Sequence, residues 1–313
     1  MLNRRHIRIK VMQTLYAMQQ SNSDHVQGGE KFLTYSIESI QELYLLMLTT
    51  LVEIKRKETE YLSIAQKKYL ATKEERNPNN KLIDNAVLAL LESSTSVSSK
   101  VEERGMKQWH VKDHYIQMLL DEIKESDIYK KYMSTPSASF EEDRQFVVDI
   151  FTDIIAPNEK IYEFLEDSQM TWLDDIPVVN TLIQKQLRQL KESTASFFVP
   201  KVYKDSEDHD FAINLFRKTI LNYTELAEEY EGRTPNWDAD RIAEIDTVIL
   251  RMAICEMLKF SSIPVKVTIN EYLEIAKEYS TPKSSIFING ILDSISKDFS
   301  KEGKIVKIGK GLL

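Results

Sequence analysis

What most limits the folds open to this chain is how rarely it is interrupted. Glycine and proline each occur eight times in 313 residues. Folds built from many short strands need turn residues at frequent intervals, and this chain does not supply them. Leu, Ile, Glu, Lys and Gln fill the intervals instead, and all of these favour helices. The expected fold class is therefore all-α. The length suffices for a sizeable core without staples and suggests two domains, or one domain with a large insertion. The single cysteine, Cys255, excludes an intramolecular disulfide and a Cys-rich zinc site, which fits a reducing compartment. Cytoplasmic localisation is the expectation. The longest apolar stretch, around Leu43 to Val52, is too short to span a bilayer and contains Thr49 and Thr50, so no membrane helix is expected. The N-terminus lacks the apolar block and cleavage site of a secretory signal.

Charge is placed unevenly. The first twenty residues hold Arg4, Arg5, Arg8 and Lys10 and no acid, in a chain whose formal net charge is −8. An acidic body thus carries a basic tip. Such a chain does not coat nucleic acid indiscriminately, but a local cluster acts on phosphates within about 8 Å, one Debye length at physiological salt. Arginine binds phosphate bidentately, stacks on bases and stays charged, so RNA is the natural ligand of this tip. Two other readings of the stretch stay open: a solvated flank on a core helix, and an amphipathic membrane-surface or targeting segment.

Along the chain, residues 3 to 19 read as one helix with Ile7, Val11, Thr14, Leu15 and Met18 on a stripe. A polar loop from Ser21 to Gly29 follows, then a long helix from about Phe32 to Leu70 that ends before Asn77-Pro78. Residues 81 to 92 form a short apolar helix, and Ser93 to Ser99 read as a flexible joint. Helix continues to about Tyr132, and Ser139 with Glu142 makes a capping box for the next one. Phe146, Ile150, Phe151, Ile155, Ile161 and Trp172 match Phe211, Leu215, Phe216, Ile220, Leu226 and Trp237 at a constant offset of 65 residues. A duplicated helical unit explains this, and chance alignment of two amphipathic helices is the alternative. Four helices close the chain: about Phe211 to Glu231; Asp238 to Phe260; one capped by Thr268 and Glu271, with Ile269, Leu273, Ala276 and Tyr279 inward; and one opened by Thr281 and Pro282, with Ile288, Ile291, Leu292, Ile295 and Phe299 inward. Gly290 inside that last pattern suggests a close approach of a neighbouring helix or ligand. Lys301, Lys304, Lys307 and Lys310 in the tail are either extra phosphate contacts or part of a disordered solubilising end.

Catalytic signatures are missing. The sequence has no phosphate-binding loop, dinucleotide fingerprint, nucleophile elbow or zinc-protease motif. His110 and His114 share a helical spacing but have no matching ligands nearby. Asp174 and Asp175 read as surface or helix-start residues rather than a catalytic pair, and Cys255 reads as a small buried hydrophobe. The expectation is a protein that binds rather than catalyses, without cofactor or metal.

Two separated stretches carry a resemblance. Val248-Ile249-Leu250-Arg251-Met252-Ala253 with Glu256, then Ile263-Pro264-Val265-Lys266-Val267-Thr268-Ile269-Asn270-Glu271, then Phe287-Ile288-Asn289-Gly290-Ile291-Leu292-Asp293, resemble the NusB family of transcription antitermination factors. Arg4-Arg5-His6-Ile7-Arg8 with Gln13, Leu15 and Tyr16 is similar to that family's arginine-rich first helix. The likeness covers about residues 3 to 20 and 208 to 296, a little over a third of the chain. The remainder is an expansion of the N-terminal half.

The resemblance implies two helical-bundle subdomains of NusB type plus an additional helical expansion, divided as 1–135, 136–204, 205–300 and a basic tail 301–313. It implies a non-catalytic factor that pairs with NusE, a small-subunit ribosomal protein, binds the single-stranded boxA element of ribosomal RNA transcripts, and joins an antitermination complex on RNA polymerase. Unpaired bases suit protein readout, because they can be splayed against Arg and aromatic side chains. Carried over by position, the RNA contacts are Arg4, Arg5 and Arg8, with Lys10 added from its charge, and Tyr16, Lys266 and Phe287. Lys283 stands where relatives often have an acid and is added for its reversed charge. Asp240 and Asp246 match acidic positions facing the protein partner. Two other classes stay open: an accessory module of a ribosomal RNA methyltransferase system, and a helical scaffold that binds proteins only.

Overall fold

A computed structural model of the chain describes residues 1–231 and 242–312. Helices are the regular secondary structure of the described residues, with no strand among them. In order the helices are α1 (Arg4–Gln20), α2 (Val26–Gln66), α3 (Lys73–Arg76), α4 (Ala86–Glu92), α5 (Thr95–Glu103), α6 (Gln108–Val111), α7 (Asp113–Glu125) and α8 (Asp127–Met133). They continue as α9 (Phe140–Ile150), α10 (Glu159–Ser168), α11 (Ile176–Gln189), α12 (Ser206–Leu221), α13 (Tyr223–Glu228), α14 (Glu244–Lys259), α15 (Val265–Tyr279) and α16 (Ser284–Lys301). A π-helical turn, Phe151–Ile155, extends α9. No helix is long and apolar enough to cross a membrane, among the described residues.

The chain divides into two compact units, one of Met1 with residues 38–202 and one of residues 2–37 with 203–313. The second unit draws on both ends of the chain, with the first unit's residues 38–202 between them. The reason is topological. The first helix leaves its sequence neighbours and packs against α12, α14 and α15, more than 180 residues later.

In the first unit, two indole N–H groups anchor α2. Trp109 Nε1 donates to the Leu46 carbonyl and Trp172 Nε1 to the Ser39 carbonyl, which satisfies both buried donors. The serine-rich joint is instead ordered. Ser94 caps α5 by accepting from the Val97 N–H and donates its hydroxyl to the Phe197 carbonyl, and Ser96 Oγ accepts from the Val199 N–H. Small hydroxyls so placed hold a passing segment rather than leave it loose. The capping box at Ser139 and Glu142 forms as expected. Asp175, read as a surface or helix-start residue, stands at the N-cap of α11 and is buried there.

In the second unit α1 is enclosed. Beyond the expected stripe, Arg8, Ile9, Lys10 and Met12 are also buried, because neighbours cover more than one face. Gly29 allows the start of α2 to lie close by: a Cβ there would come within 2.4 Å of Met18 Sδ and 2.7 Å of Phe216 Cζ. Helix begins at Val26 and so includes two glycines that read as loop. Gly290 is the opposite case. It is exposed, with open space where a side chain would go, so no helix among the described residues explains it.

The α15 boundary differs from expectation for a chemical reason. The helix starts three residues earlier, after Pro264, and Thr268 and Glu271 form no capping box because both side chains are engaged elsewhere. Its fully buried positions are Thr268, Tyr272, Ile275 and Ala276. Likewise α16 opens at Ser284 rather than at Pro282, with the Thr281 and Ser284 hydroxyls in contact. The tail is not a loose end over its described length: the Ile308 N–H donates to the Ser261 carbonyl, Lys307 Nζ to the Phe260 carbonyl, and Lys304 pairs with Glu229.

Candidate nucleic-acid interface

The candidate site is the N-terminal turn of α1, and it takes shape from the need to neutralise charge in an enclosed helix. Arg8 shows 3% of its side chain to solvent and Glu256 none. The guanidinium donates through Nε and Nη2 to the two Glu256 oxygens, both at 2.8 Å. Thr268 Oγ1 and Tyr272 OH add donations to the same carboxylate at 2.8 and 3.2 Å. Burial opposes the charge on Arg8, and the hydrogen bond and charge of Glu256 outweigh it, so the Arg8 pKa is raised. Tyr272, wholly buried beside this carboxylate, is held neutral far above its ordinary range, by burial first.

One turn earlier the pairs open towards water. Arg5 donates from Nε and Nη2 to Glu271 at 3.0 and 2.9 Å. Its side chain is 40% exposed and that of Glu271 22%. The Arg5 bond pulls the Glu271 carboxyl below the usual carboxylate range, against the opposing effect of burial. Arg4 donates to the Asp208 carboxylate at 3.0 Å and lies 3.6 Å from Glu207. The Phe211 ring stands below Arg4 and Arg8, 5.2 and 5.1 Å from ring centre to guanidinium carbon. A cleft of about 680 Å³ opens here, lined by Arg4, Arg5, Ser262, Pro264, Val267 and Glu271.

Magnitude separates these pairs. Breaking a buried ion pair by removing one partner costs about 3–5 kcal/mol, so Arg8 and Glu256 act as a structural bolt. A half-exposed pair contributes only about 0–1 kcal/mol, so Arg5 can change partners at little cost. In charge, three arginines face four carboxylates, Asp208, Glu207, Glu256 and Glu271. The tip of the sequence is basic, but in the fold its charge is balanced.

This corrects several expected contacts. Arg8 is a core ion pair rather than a surface cation. Lys10 is 2% exposed and Phe287 7%, so both belong to the interior, where neither can meet RNA without rearrangement of the core. Asp246, expected to face a protein partner, is buried and accepts from Ser284 Oγ at 2.6 Å, which fixes the start of α16. Asp240 lies outside the described residues. Tyr16 is half-buried, and Lys266 and Lys283 are exposed. Lys266 sits in the first turn of α15, near the residues lining the cleft, whereas Lys283 follows that helix at its other end. Fifteen residues of helix separate the ends by about 22 Å, so these two lysines do not form one patch.

The residues that sequence reasoning missed are the carboxylates and rings: Asp208, Phe211, Glu256, Glu271 and Tyr272. One signal was available. Glu256 continues the stripe of Ile249, Met252 and Ala253, all buried, and an acid on such a stripe demands a buried cation. Cys255 beside it is inert, since burial pushes its thiol up to about 11. No group of three or more metal-ligating side chains comes together among the described residues.

Comparison with known proteins fits this architecture. Residues 176–297 match the family model described as NusB family. The chain is 46% identical over 110 residues to the transcription antitermination protein NusB of Salinibacter ruber, covering 35% of this chain and 69% of that protein. It is 38% identical to the protein of that name from Chloroherpeton thalassium, over 39% of this chain and 58% of the relative. For Dictyoglomus turgidum the values are 40%, 41% and 85%. No solved structure matches the chain. With most of a relative's length aligned at this identity and an all-helical fold to match, the chain belongs to the NusB family, in a form with an expanded N-terminal half.

Proposed function

We propose that the chain is a non-enzymatic transcription antitermination factor of the cytoplasm that binds boxA-type single-stranded RNA of ribosomal RNA transcripts together with NusE, within an antitermination complex on RNA polymerase. The observation that carries this reading is the cleft at the start of α1. There Arg4 and Arg5 keep about two fifths of their side chains in water, and exposed Lys266 stands in the first turn of the neighbouring α15. The buried Arg8–Glu256 pair holds α1 against α14, so the outer guanidinium groups start from a fixed platform. Phosphate contacts fall to these three cations, with Lys283 a separate cation on another part of the surface.

A second reading has its own support. The carboxylates facing every N-terminal arginine favour a scaffold that binds proteins only, with α1 serving the core. Fluorescence anisotropy with labelled boxA-type RNA, with and without NusE, separates the two. Binding should weaken with salt along a log–log slope of magnitude up to about 2, for three contacts at about 0.7 each. Replacing Arg4 and Arg5 with Ala should lower affinity and flatten that slope. NusE bound without RNA affinity in either condition would establish the protein-only scaffold instead.

A further inference from the structure

We infer that Glu271 is a built-in competitor for RNA phosphate at Arg5, and that it sets how tightly the cleft takes up single-stranded RNA. This inference rests on the RNA-binding reading above and assigns the residue that regulates that site.

The geometry supplies the argument. A phosphate bound bidentately by arginine accepts from two parallel N–H groups, and the Glu271 carboxylate accepts from Arg5 Nε and Nη2 in that same manner. It has the charge and the fork-matching oxygens of the ligand it keeps out. Among the three arginines, only Arg5 has a partner that can exchange. Glu256 is sealed in the core, and Asp208, with 8% of its side chain exposed, stays fixed beneath Arg4. Glu207, 82% exposed, is too loosely held to obstruct anything. Glu271 lies on the cleft wall, accessible from solvent.

Glu271 also has somewhere to go. Its Oε2 is 3.6 Å from Arg8 Nη1, so when Arg5 turns to a phosphate the carboxylate keeps a cationic neighbour. The exchange strands no charge in the interior. Arg5 thus has two alternative anions, one tethered and one arriving, and a ligand must outcompete the tethered one. A lone anion at low concentration does this poorly, whereas a polyanion held in place by Arg4 and Lys266 does it well.

The test uses the full chain, a labelled oligouridine as the RNA probe, and a salt titration. Glu271→Gln should tighten binding roughly two- to fivefold, the equivalent of one exposed ion pair. It should also steepen the log–log salt slope by up to about 0.7, since a phosphate contact is gained in full. Adding Arg5→Ala to that variant should abolish the gain. Asp293→Asn, which removes an exposed carboxylate paired with Lys297, should leave affinity unchanged. If the natural chain binds RNA and Glu271→Gln binds no tighter, the competitor role falls while the RNA-binding reading stands. An equal gain from Asp293→Asn would show an effect of net charge alone and overturn the inference. If neither the natural chain nor Glu271→Gln binds, both readings fall.

Discussion

The two units use the same local device for different ends. Asp143 in α9 and Asp208 in α12 lie 65 residues apart, the offset that relates the apolar residues of these helices, and both are buried. Phe146 and Phe211, Ile150 and Leu215, Phe151 and Phe216, and Ile161 and Leu226 are buried in both members of each pair, while Ile220 is half-buried and Trp237 lies outside the described residues. Each aspartate holds the first residue of a helix whose N-cap is an asparagine. Asp143 accepts from the Ala86 N–H of α4, capped by Asn85, and Asp208 accepts from the Arg4 side chain of α1, capped by Asn3. In the first unit the aspartate also accepts from the Tyr132 hydroxyl, so its side chain holds a backbone N–H and a phenol rather than a guanidinium. In the second it reaches a guanidinium at a cleft. A matching pattern of buried residues therefore does not make a matching site, because what the aspartate holds differs at the two helix starts.

This contrast can be broken by substitution. The largest effect should come from Arg8→Ala, which leaves Glu256 buried without its cation and should destabilise the second unit by about 3–5 kcal/mol in thermal or urea unfolding. A loss below 1 kcal/mol would mean that α1 is not bolted to α14. Asp143→Ala should destabilise the first unit by about 1–3 kcal/mol, because the Tyr132 hydroxyl and the Ala86 N–H lose a buried acceptor. RNA affinity should not change in that variant, since the site belongs to the other unit.

The smallest effect concerns pH and sharpens the comparison at the two asparagine caps. His6 Nδ1 accepts from the Asn3 N–H, and burial, followed by the charges of Arg5 and Lys10, lowers its pKa from the ordinary 6.5. The folded state thus prefers neutral His6. That stabilisation is complete above pH 6.5 and is lost as pH falls through the depressed folded-state value. Hydrogen exchange in the first turn of α1 should therefore accelerate, relative to α4, as pH drops from about 7 to 5. Asn85 caps α4 by accepting from Val87 and Leu88, with no histidine involved, so equal acceleration in both helices would refute the assignment.

Much of this fold was legible because apolar spacing dominates it. The stripes of α1 and α16 and the capping box of α9 follow directly from the sequence. What was not legible has one cause: polar residues in the interior. Thr268 and Glu271 read as a helix start because that spacing is common at helix ends, yet their side chains serve Glu256 and Arg5 from the second turn. Arg8 and Lys10 read as surface cations because periodicity places them beside the stripe, and only the packing of α12, α14 and α15 shows that side to be covered. Pairing across more than 200 residues cannot be read from local spacing.

The state of Cys255 has a practical side. With a thiol that is both enclosed and far from ionised at neutral pH, the native protein presents no reactive sulfhydryl among its described residues. A cysteine installed at an exposed position such as Lys266 would then be the sole site for a maleimide dye or spin label. Reporters can be attached at the mouth of the cleft without first removing the native residue, which would leave a void in α14.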